Sequence, residues 1–259
     1  MSLTAVLGHA VGKKKKERRA KTKYDYNYTD RAVDYREQVA QRRQVSEKFV
    51  GQRWHMYDNN KYWDEKYYIP PDQSIEDAHD EAYNDFAAVL PHIEPYLENV
   101  DGCRVLILGC GTSQIGRQLQ KMGFTNIVNA DLSPKLIHRM LEPAELLEGV
   151  DCVCVDATNM YMFPEGWFDL IIDKALLDTL FTKTSMMRDV PKMIDEVSRV
   201  LAPGGTYFVF SVGPPSARQD YFQRKPLHWR LRCGKSTHGI YTYACTQPLK
   251  ESENMNYLD

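Results

Sequence analysis

The sequence predicts an α/β protein with a doubly wound, mainly parallel β-sheet that follows a basic N-terminal extension. From Cys103 onward, short apolar segments typical of strands alternate with helical segments, the pattern of a parallel sheet covered on both faces. A glycine-rich turn follows the first of these strands, and acidic residues end the next ones. The first 50 residues contain 13 Lys and Arg against 6 Asp and Glu, whereas the rest of the chain contains 20 against 29.

The alternating part of the chain reads as seven strands and four helices. A helix is also expected upstream, from the capping box at Ser74–Asp77 towards Leu90. The Pro203–Gly205 segment is expected to form a tight turn before the fifth strand. The strands are expected at about 104–108, 126–130, 151–155, 168–173, 205–211, 228–233 and 240–246, and the helices at about 114–122, 134–142, 184–201 and 215–225.

Length and composition are those of a soluble globular protein. The chain has 259 residues, of which 43% are hydrophobic and 26% charged, enough to bury a sizeable core. No apolar run approaches the roughly 20 residues that a membrane-spanning helix needs. The six cysteines form no CxxC pair and no zinc-like spacing, so we expect free thiols, no metal site and an intracellular location. The cytoplasm is the first expectation, with nucleus and mitochondrion left open.

Two domains are expected, with residues 1–57 as the basic extension and 58–259 as the α/β domain. A helix is predicted in the extension from Asp30 to about Trp54, although its apolar stripe is loose and needs a partner surface. The run Lys13–Lys16 with Arg18 and Arg19 is interpreted first as a solvated or partner-docking tail on a protein or RNA assembly. A nuclear signal and a direct nucleic-acid contact are the alternatives.

The strongest functional signal is the segment Val105–Gly116, VLILGCGTSQIG. An apolar strand runs into Gly109 and Gly111 and then into a helix, so the backbone can turn tightly and approach a ligand closely. Open α/β sheets bind nucleotides at this carboxyl end of the strand. The spacing GxGxxxxG differs from the GxGxxG of dinucleotide-binding proteins, which argues against NAD.

Acidic residues end the next two strands. Asp131 lies 20 positions after Gly111, where a carboxylate can accept hydrogen bonds from both ribose hydroxyls of an adenosine. A helix N-cap is the alternative for Asp131, but Ser133 fits that role better. Asp156 can accept from an adenine amino group, while the backbone N–H of Ala157 faces the ring. Asp156 alone could equally be a loop residue, but the ordered series at strand ends favours a nucleoside site.

The fourth strand ends in a further acidic group. Asp173 and Lys174 are expected at the same edge of the sheet, and Asp178 follows in the next segment. A carboxylate here can orient a substrate amine or the aminoacyl end of a cofactor. Pairing of this carboxylate with Lys174 is the structural alternative.

Over about residues 58–247 this ordered set resembles the class I S-adenosylmethionine-dependent methyltransferases, which have a Rossmann-like sheet with an antiparallel last strand. It is most similar to the branch that contains the lysine methyltransferases of elongation factor 1A and citrate synthase. Two positions depart from that branch: Ala175 stands where glycine is usual, and Thr112 where asparagine is common. The similar segments are Tyr62–Tyr67 (YWDEKY), Leu108–Ser113 (LGCGTS), Asp173–Asp178 (DKALLD) and Tyr241–Thr246 (YTYACT).

The resemblance implies S-adenosylmethionine as the cofactor. A lysine nucleophile must be neutral, and Asp173 is the candidate that accepts its proton. Tyr62 and Trp63 are expected to wall the methyl-transfer channel, although the aromatic segment could equally be a packing lid. The expected cofactor-binding residues are Trp63, Gly109, Cys110, Gly111, Asp131, Leu132, Asp156, Ala157 and Asp173.

The function expected from this resemblance is methylation of a lysine in a protein substrate, with a translation factor as one candidate. Methylation of a small molecule or RNA is one alternative, and a non-catalytic subunit of a larger assembly is another, because a fold does not fix a function. An open cavity lined by the two glycines and the two strand-end aspartates would favour the enzyme, whereas a filled cavity would favour the subunit.

Overall fold

The computed structural model describes residues 60–249, except 79, 84, 98–99, 101, 143–146, 184–185 and 236–238. The basic extension and the helix predicted within it lie outside the described residues. None of the described helices is long and apolar enough to cross a membrane.

A seven-stranded sheet forms the centre of the described fold, in the spatial order β3-β2-β1-β4-β5-β7-β6. Strands β3, β2, β1, β4 and β5 are parallel, and β7 lies antiparallel between β5 and β6. The predicted sheet with an antiparallel last strand is therefore confirmed. The strands are β1 (Val105–Leu108), β2 (Ile127–Asp131), β3 (Val150–Cys154), β4 (Phe168–Lys174), β5 (Leu201–Ser211), β6 (Arg230–Lys235) and β7 (Tyr241–Thr246).

Helices cover both faces of the sheet, as a doubly wound fold requires. On one face, Val89, Ile115 and Leu136 pack with Val105 and Ile107 of β1 in a continuous apolar core. Alternate strand residues face the other side, where the helix at 186–200 contacts β5. The helices are α1 (Asn60–Lys66), α2 (Phe86–Ile93), α3 (Ile115–Lys121), α4 (Pro134–Met140), α5 (Leu176–Phe181), α6 (Met186–Val200) and α7 (Pro215–Phe222), with a 3-10 turn at Glu94–Tyr96.

The helix predicted from Ser74 is wrong in its start. The capping contact forms, with the Asp77 N–H donating to Ser74 Oγ at 3.0 Å, but only one turn follows. The chain then leaves the helical path, because the Asp80 N–H is bound by Thr112 Oγ1 at 2.8 Å instead of by a preceding carbonyl. Helix α2 begins later, capped by Asp85, which accepts from the Ala88 N–H at 2.9 Å.

Three further local features differ from the predictions. Helices α1 and α5 were not expected, because each is only six or seven residues long and carries no clear apolar period. Strand β5 begins at Leu201, so Pro203–Gly205 lies inside it, not in a turn before it. The pairing register between β4 and β5 shifts between Phe168 and Leu170, which accommodates this irregular segment.

Candidate functional site

An open cavity lies at the carboxyl ends of the central strands. The empty space within it, including its mouth open to solvent, is about 1000 Å³. Its wall contains Trp63, Lys66, Tyr67, Asp80, Ala82, Ile107, Leu108, Gly109, Cys110, Gly111, Ser113, Ile115, Asp131, Leu132, Val155, Asp156, Ala157, Lys174, Ala175, Leu176, Thr179, Leu180 and Lys183.

Two glycines let the loop after β1 pass close to other parts of this wall. Gly109 has φ +66°, and a Cβ placed there would lie 2.8 Å from Cβ of Leu176. Gly111 has φ +51°, and a Cβ there would lie 2.8 Å from Oη of Tyr67. Both the backbone angle and the space therefore select glycine. Cys110, between them, is buried and donates its N–H to the Ala130 carbonyl at 3.0 Å.

Asp131 is held at the cavity by backbone hydrogen bonds. One carboxylate oxygen accepts from the Gly111 N–H and the other from the Ser133 N–H, each at 3.0 Å. The residue is 7% exposed, and burial raises the pKa of its carboxyl above the usual range, while these N–H groups oppose the shift. Each oxygen keeps a second acceptor site, so the pair can take two hydroxyl groups of a sugar. Leu132 lines the cavity beside it.

Asp156 and Ala157 form the next part of the wall, after β3. Both hydrogen bonds to Asp156, from the Thr158 N–H and from Thr158 Oγ1, reach Oδ1 at 2.8 Å. Among the described residues this leaves Oδ2 available to an amino group of a ligand. The exposed carboxylate lies beside the apolar Val155, a combination that suits a flat heterocycle with one polar edge.

Helix α1 supplies an aromatic part of the wall. The rings of Trp63 and Tyr67 stack with centroids 5.7 Å apart and an interplanar angle of 20°. Lys66 Nζ lies 5.4 Å from the centroid of the Trp63 ring, within cation–π range. Asp64 fixes the helix in place, because its Oδ1 accepts from Ser133 Oγ at 2.6 Å. Tyr62 contacts Trp63 edge-on but is 63% exposed and does not line the cavity, so its predicted role as a channel wall is not supported.

Asp173 is the main correction to the predicted site. It is 0% exposed and is not among the cavity-lining residues. Its carboxylate accepts from the N–H groups of Leu176 and Leu177, at 2.9 and 3.2 Å, and from Tyr207 Oη at 2.7 Å. Burial raises the pKa of this carboxyl from 3.8 to about 7. In this position the carboxylate anchors the start of α5 and lies outside the described cavity wall.

Several wall residues were missed by the sequence analysis because distant segments bring them together. Lys174 pairs with Glu81, 93 residues upstream, and not with a neighbouring aspartate. Asp178, which does not line the cavity, pairs with Arg218 at 2.9 Å and accepts a hydrogen bond from the Val212 N–H. No local pattern marks such contacts. The missed wall residues also include Asp80, Ala82, Thr179, Leu180 and Lys183.

The cavity fits S-adenosylmethionine in shape and chemistry. The two glycines give a cradle that a Cβ would fill, the two strand-end carboxylates suit a ribose diol and an adenine amino group, and the aromatic pair suits a cationic centre. Within the described part of the chain, no group of three or more His, Cys, Asp or Glu could hold a metal ion.

Comparison with known proteins agrees with this geometry. The methyltransferase domain family matches residues 106–209, from β1 to β5. Mouse EEF1A lysine methyltransferase 4 is 29% identical over 198 residues, which cover 71% of this chain and 73% of that protein. The human eEF1A lysine and N-terminal methyltransferase is 36% identical over 112 residues, 42% of this chain but only 16% of that protein.

Among solved structures, one from work on the conversion of a disulfide bond into a thioacetal group during echinomycin biosynthesis superposes with a TM-score of 0.51. It is 17% identical and covers 74% of this chain and 94% of that one, so it supports the fold alone. The family match over residues 106–209, the relatives and the cavity together show a methyltransferase domain that uses S-adenosylmethionine and is similar to the elongation factor 1A lysine methyltransferases.

Proposed function

We propose that this enzyme methylates the side-chain amine of a lysine in a protein, with elongation factor 1A as the first candidate substrate. The observation that carries the proposal is the match to EEF1A lysine methyltransferase 4, which extends over 73% of that relative and so includes more than the shared methyltransferase domain. The open, aromatic-walled cavity supports a catalytic role over that of a non-catalytic subunit.

When bound, S-adenosylmethionine would supply an electrophilic methyl group carried on its sulfonium. The residues of the chain mainly bind and orient. Asp131 and Asp156 would hold the ribose and adenine ends, and the glycine loop would give close backbone contact. The stacked rings of Trp63 and Tyr67 offer faces that attract a positive charge.

A lysine must lose its proton before it can act as a nucleophile. Because Asp173 is fully enclosed, we assign the proton acceptor to Asp80, an exposed carboxylate on the cavity wall. Replacing Asp80 with Asn should lower kcat while leaving binding of S-adenosylhomocysteine close to that of the wild type.

The test of the substrate is direct. Purified protein is incubated with S-adenosylmethionine and unmodified recombinant elongation factor 1A, and methyl-lysine is sought by tandem mass spectrometry, with the Asp131→Ala variant as control. Methyl-lysine that depends on Asp131 supports the proposal. Its absence from elongation factor 1A and from total cell protein, with cofactor binding intact, would exclude protein lysine methylation.

We also propose that the basic residues 1–57 help to dock the substrate and that the enzyme works in the cytoplasm, where the six free cysteines would stay reduced. Deletion of residues 1–57 should raise KM for the protein substrate more than it changes binding of S-adenosylhomocysteine. Cell fractionation with an antibody against the chain tests the compartment.

A further inference from the structure

Four consecutive residues, Asp80–Tyr83, form a strap between the single helical turn that begins at Ser74 and helix α2. The strap is tied to three different parts of the chain, each remote in sequence. Two of the tied residues, Asp80 and Ala82, line the cavity. The ties run from the Asp80 N–H to Thr112 Oγ1 (2.8 Å), from Lys174 Nζ to the Ala82 carbonyl (2.9 Å) and from Tyr83 Oη to Asp178 Oδ2 (2.7 Å).

Glu81 lies at the centre of the strap and makes most of its contacts. Its carboxylate accepts from Ser113 Oγ at 2.9 Å and from the Gln114 N–H at 2.6 Å. It also forms an ion pair with Lys174, in which the side chains of Lys174 and Glu81 are only 5% and 14% exposed. Charge-assisted hydrogen bonds of this kind are stronger than neutral ones, and a largely buried pair is little screened by salt.

These partners are themselves parts of the cavity wall. Ser113 belongs to the glycine loop and Lys174 ends β4, and both line the cavity, whereas Glu81 does not. Glu81 therefore stands behind the wall and joins three of its segments, which are separated by 32 and 93 residues in the sequence. It can affect a bound ligand only through the residues it holds.

The backbone of the strap also indicates that contacts hold it in place. Tyr83 has φ +67°, in the left-handed region that a bulky residue rarely adopts. Such a conformation persists only where the surrounding structure enforces it. The hydrogen bond from Tyr83 Oη to Asp178 at one end and the Glu81 contacts on the other side supply that enforcement.

We propose that Glu81 is a positioning residue that locks the strap against the glycine loop and β4 and thereby sets the affinity for the cofactor. The inference goes beyond lysine methylation, because it depends on the cofactor cavity alone. If Glu81 proves not to affect cofactor affinity, the proposed lysine methylation still stands. If the enzyme proves not to methylate lysine, the proposed role of Glu81 still stands.

The test is calorimetric titration of the full chain with S-adenosylhomocysteine. Glu81→Gln keeps the size and one acceptor but removes the negative charge that faces Lys174, so we expect the Kd to rise about tenfold, the effect of one charge-assisted contact. At saturating cofactor kcat should change less than the Kd. Hydrogen exchange at the Gln114 backbone amide should be faster in the variant than in the wild type. Addition of S-adenosylhomocysteine should slow this exchange less in the variant than in the wild type.

The matched control is Asp85→Ala, which removes the cap of α2 just beyond the strap without touching its contacts. It should lower the thermal midpoint and leave the Kd unchanged. A wild-type Kd in Glu81→Gln, or an equal loss in Asp85→Ala, overturns the proposal. If Glu81→Gln does not fold, Thr112→Val removes the tie to Asp80 without altering a charge and must weaken binding in the same way.

Discussion

Asp131 is the last residue of β2 and Asp173 is the next-to-last residue of β4, the two strands that flank β1, yet one lines the cavity and the other is enclosed. The pairing register explains the difference. Leu108 of β1 is level with Ala130 on one side and with Asp173 on the other, so Asp131 lies one residue further along its strand than Asp173. Successive side chains of a strand point to opposite faces. The residue of β4 that matches Asp131 is Lys174, and Lys174 does line the cavity.

The two carboxylates therefore have different roles, although each accepts hydrogen bonds from backbone N–H groups. Asp131 accepts from two backbone N–H groups and keeps acceptor sites directed to the cavity. Asp173 accepts from two backbone N–H groups and the hydroxyl of Tyr207, and its bonds hold α5 to the sheet. An aspartate at a strand end is thus a candidate ligand only when its register brings it past the edge of the sheet.

The substitution Asp131→Ala tests the difference between the two aspartates most directly and should have the largest effect. The variant loses the ribose acceptor and the hydrogen bonds that fix the Gly111 and Ser133 amides, so binding of S-adenosylhomocysteine should weaken at least about 100-fold, roughly 3 kcal/mol. Calorimetric titration measures it, and Asp156→Ala, which removes a more exposed acceptor, should lose less. Binding within threefold of the wild type in well-folded Asp131→Ala would remove Asp131 from the cofactor site.

The sequence predicted the sheet and one half of the cavity because their signals are local. The strand–turn–helix at Gly109 and Gly111 and the acidic strand ends can be recognised without knowing the fold. The other half depends on contacts between segments that are distant in the sequence, such as that of Glu81 with Lys174. It also depends on a one-residue difference in strand register, which the positions of the strand ends in the sequence do not reveal. The helix predicted from Ser74 was wrong for a related reason, since a long-range bond to Thr112 replaced the local one.

The next largest effect is expected from Asp173→Asn. At pH 5, where Asp173 is protonated, the amide replaces one O–H donor with two N–H donors that face groups which already donate, so the variant should lose about 2–3 kcal/mol of unfolding free energy. Urea denaturation measures it. A role as catalytic base predicts the opposite result, with unchanged stability and kcat reduced by orders of magnitude at full cofactor binding.

Asp173 should also make the free energy of unfolding depend on pH. Its pKa is raised from 3.8 to about 7 in the folded protein, so the native state keeps a proton that the unfolded chain releases. The resulting stabilisation is complete below pH 4 and is lost as the pH rises to about 7, by up to about 1.4 kcal/mol per pH unit. Urea denaturation of wild type and Asp173→Asn between pH 5 and 8 should give curves that converge as the pH rises. Parallel curves would contradict an enclosed, titrating Asp173.

The smallest expected effect concerns Ala175, which lies between Lys174 and helix α5 and has φ +79° and ψ −7°. A left-handed conformation costs a residue with a Cβ about 1–2 kcal/mol, whereas glycine adopts it freely but loses more chain entropy on folding. Ala175→Gly should therefore stabilise the protein by about 0.5–1 kcal/mol in urea denaturation and change the affinity for S-adenosylhomocysteine less than twofold. Ala217→Gly, in the first turn of α7, is the matched control and should destabilise by a similar amount. If both glycines destabilise, the backbone at Ala175 is not strained, and the turn from β4 into α5 is held by the Asp173 bonds alone.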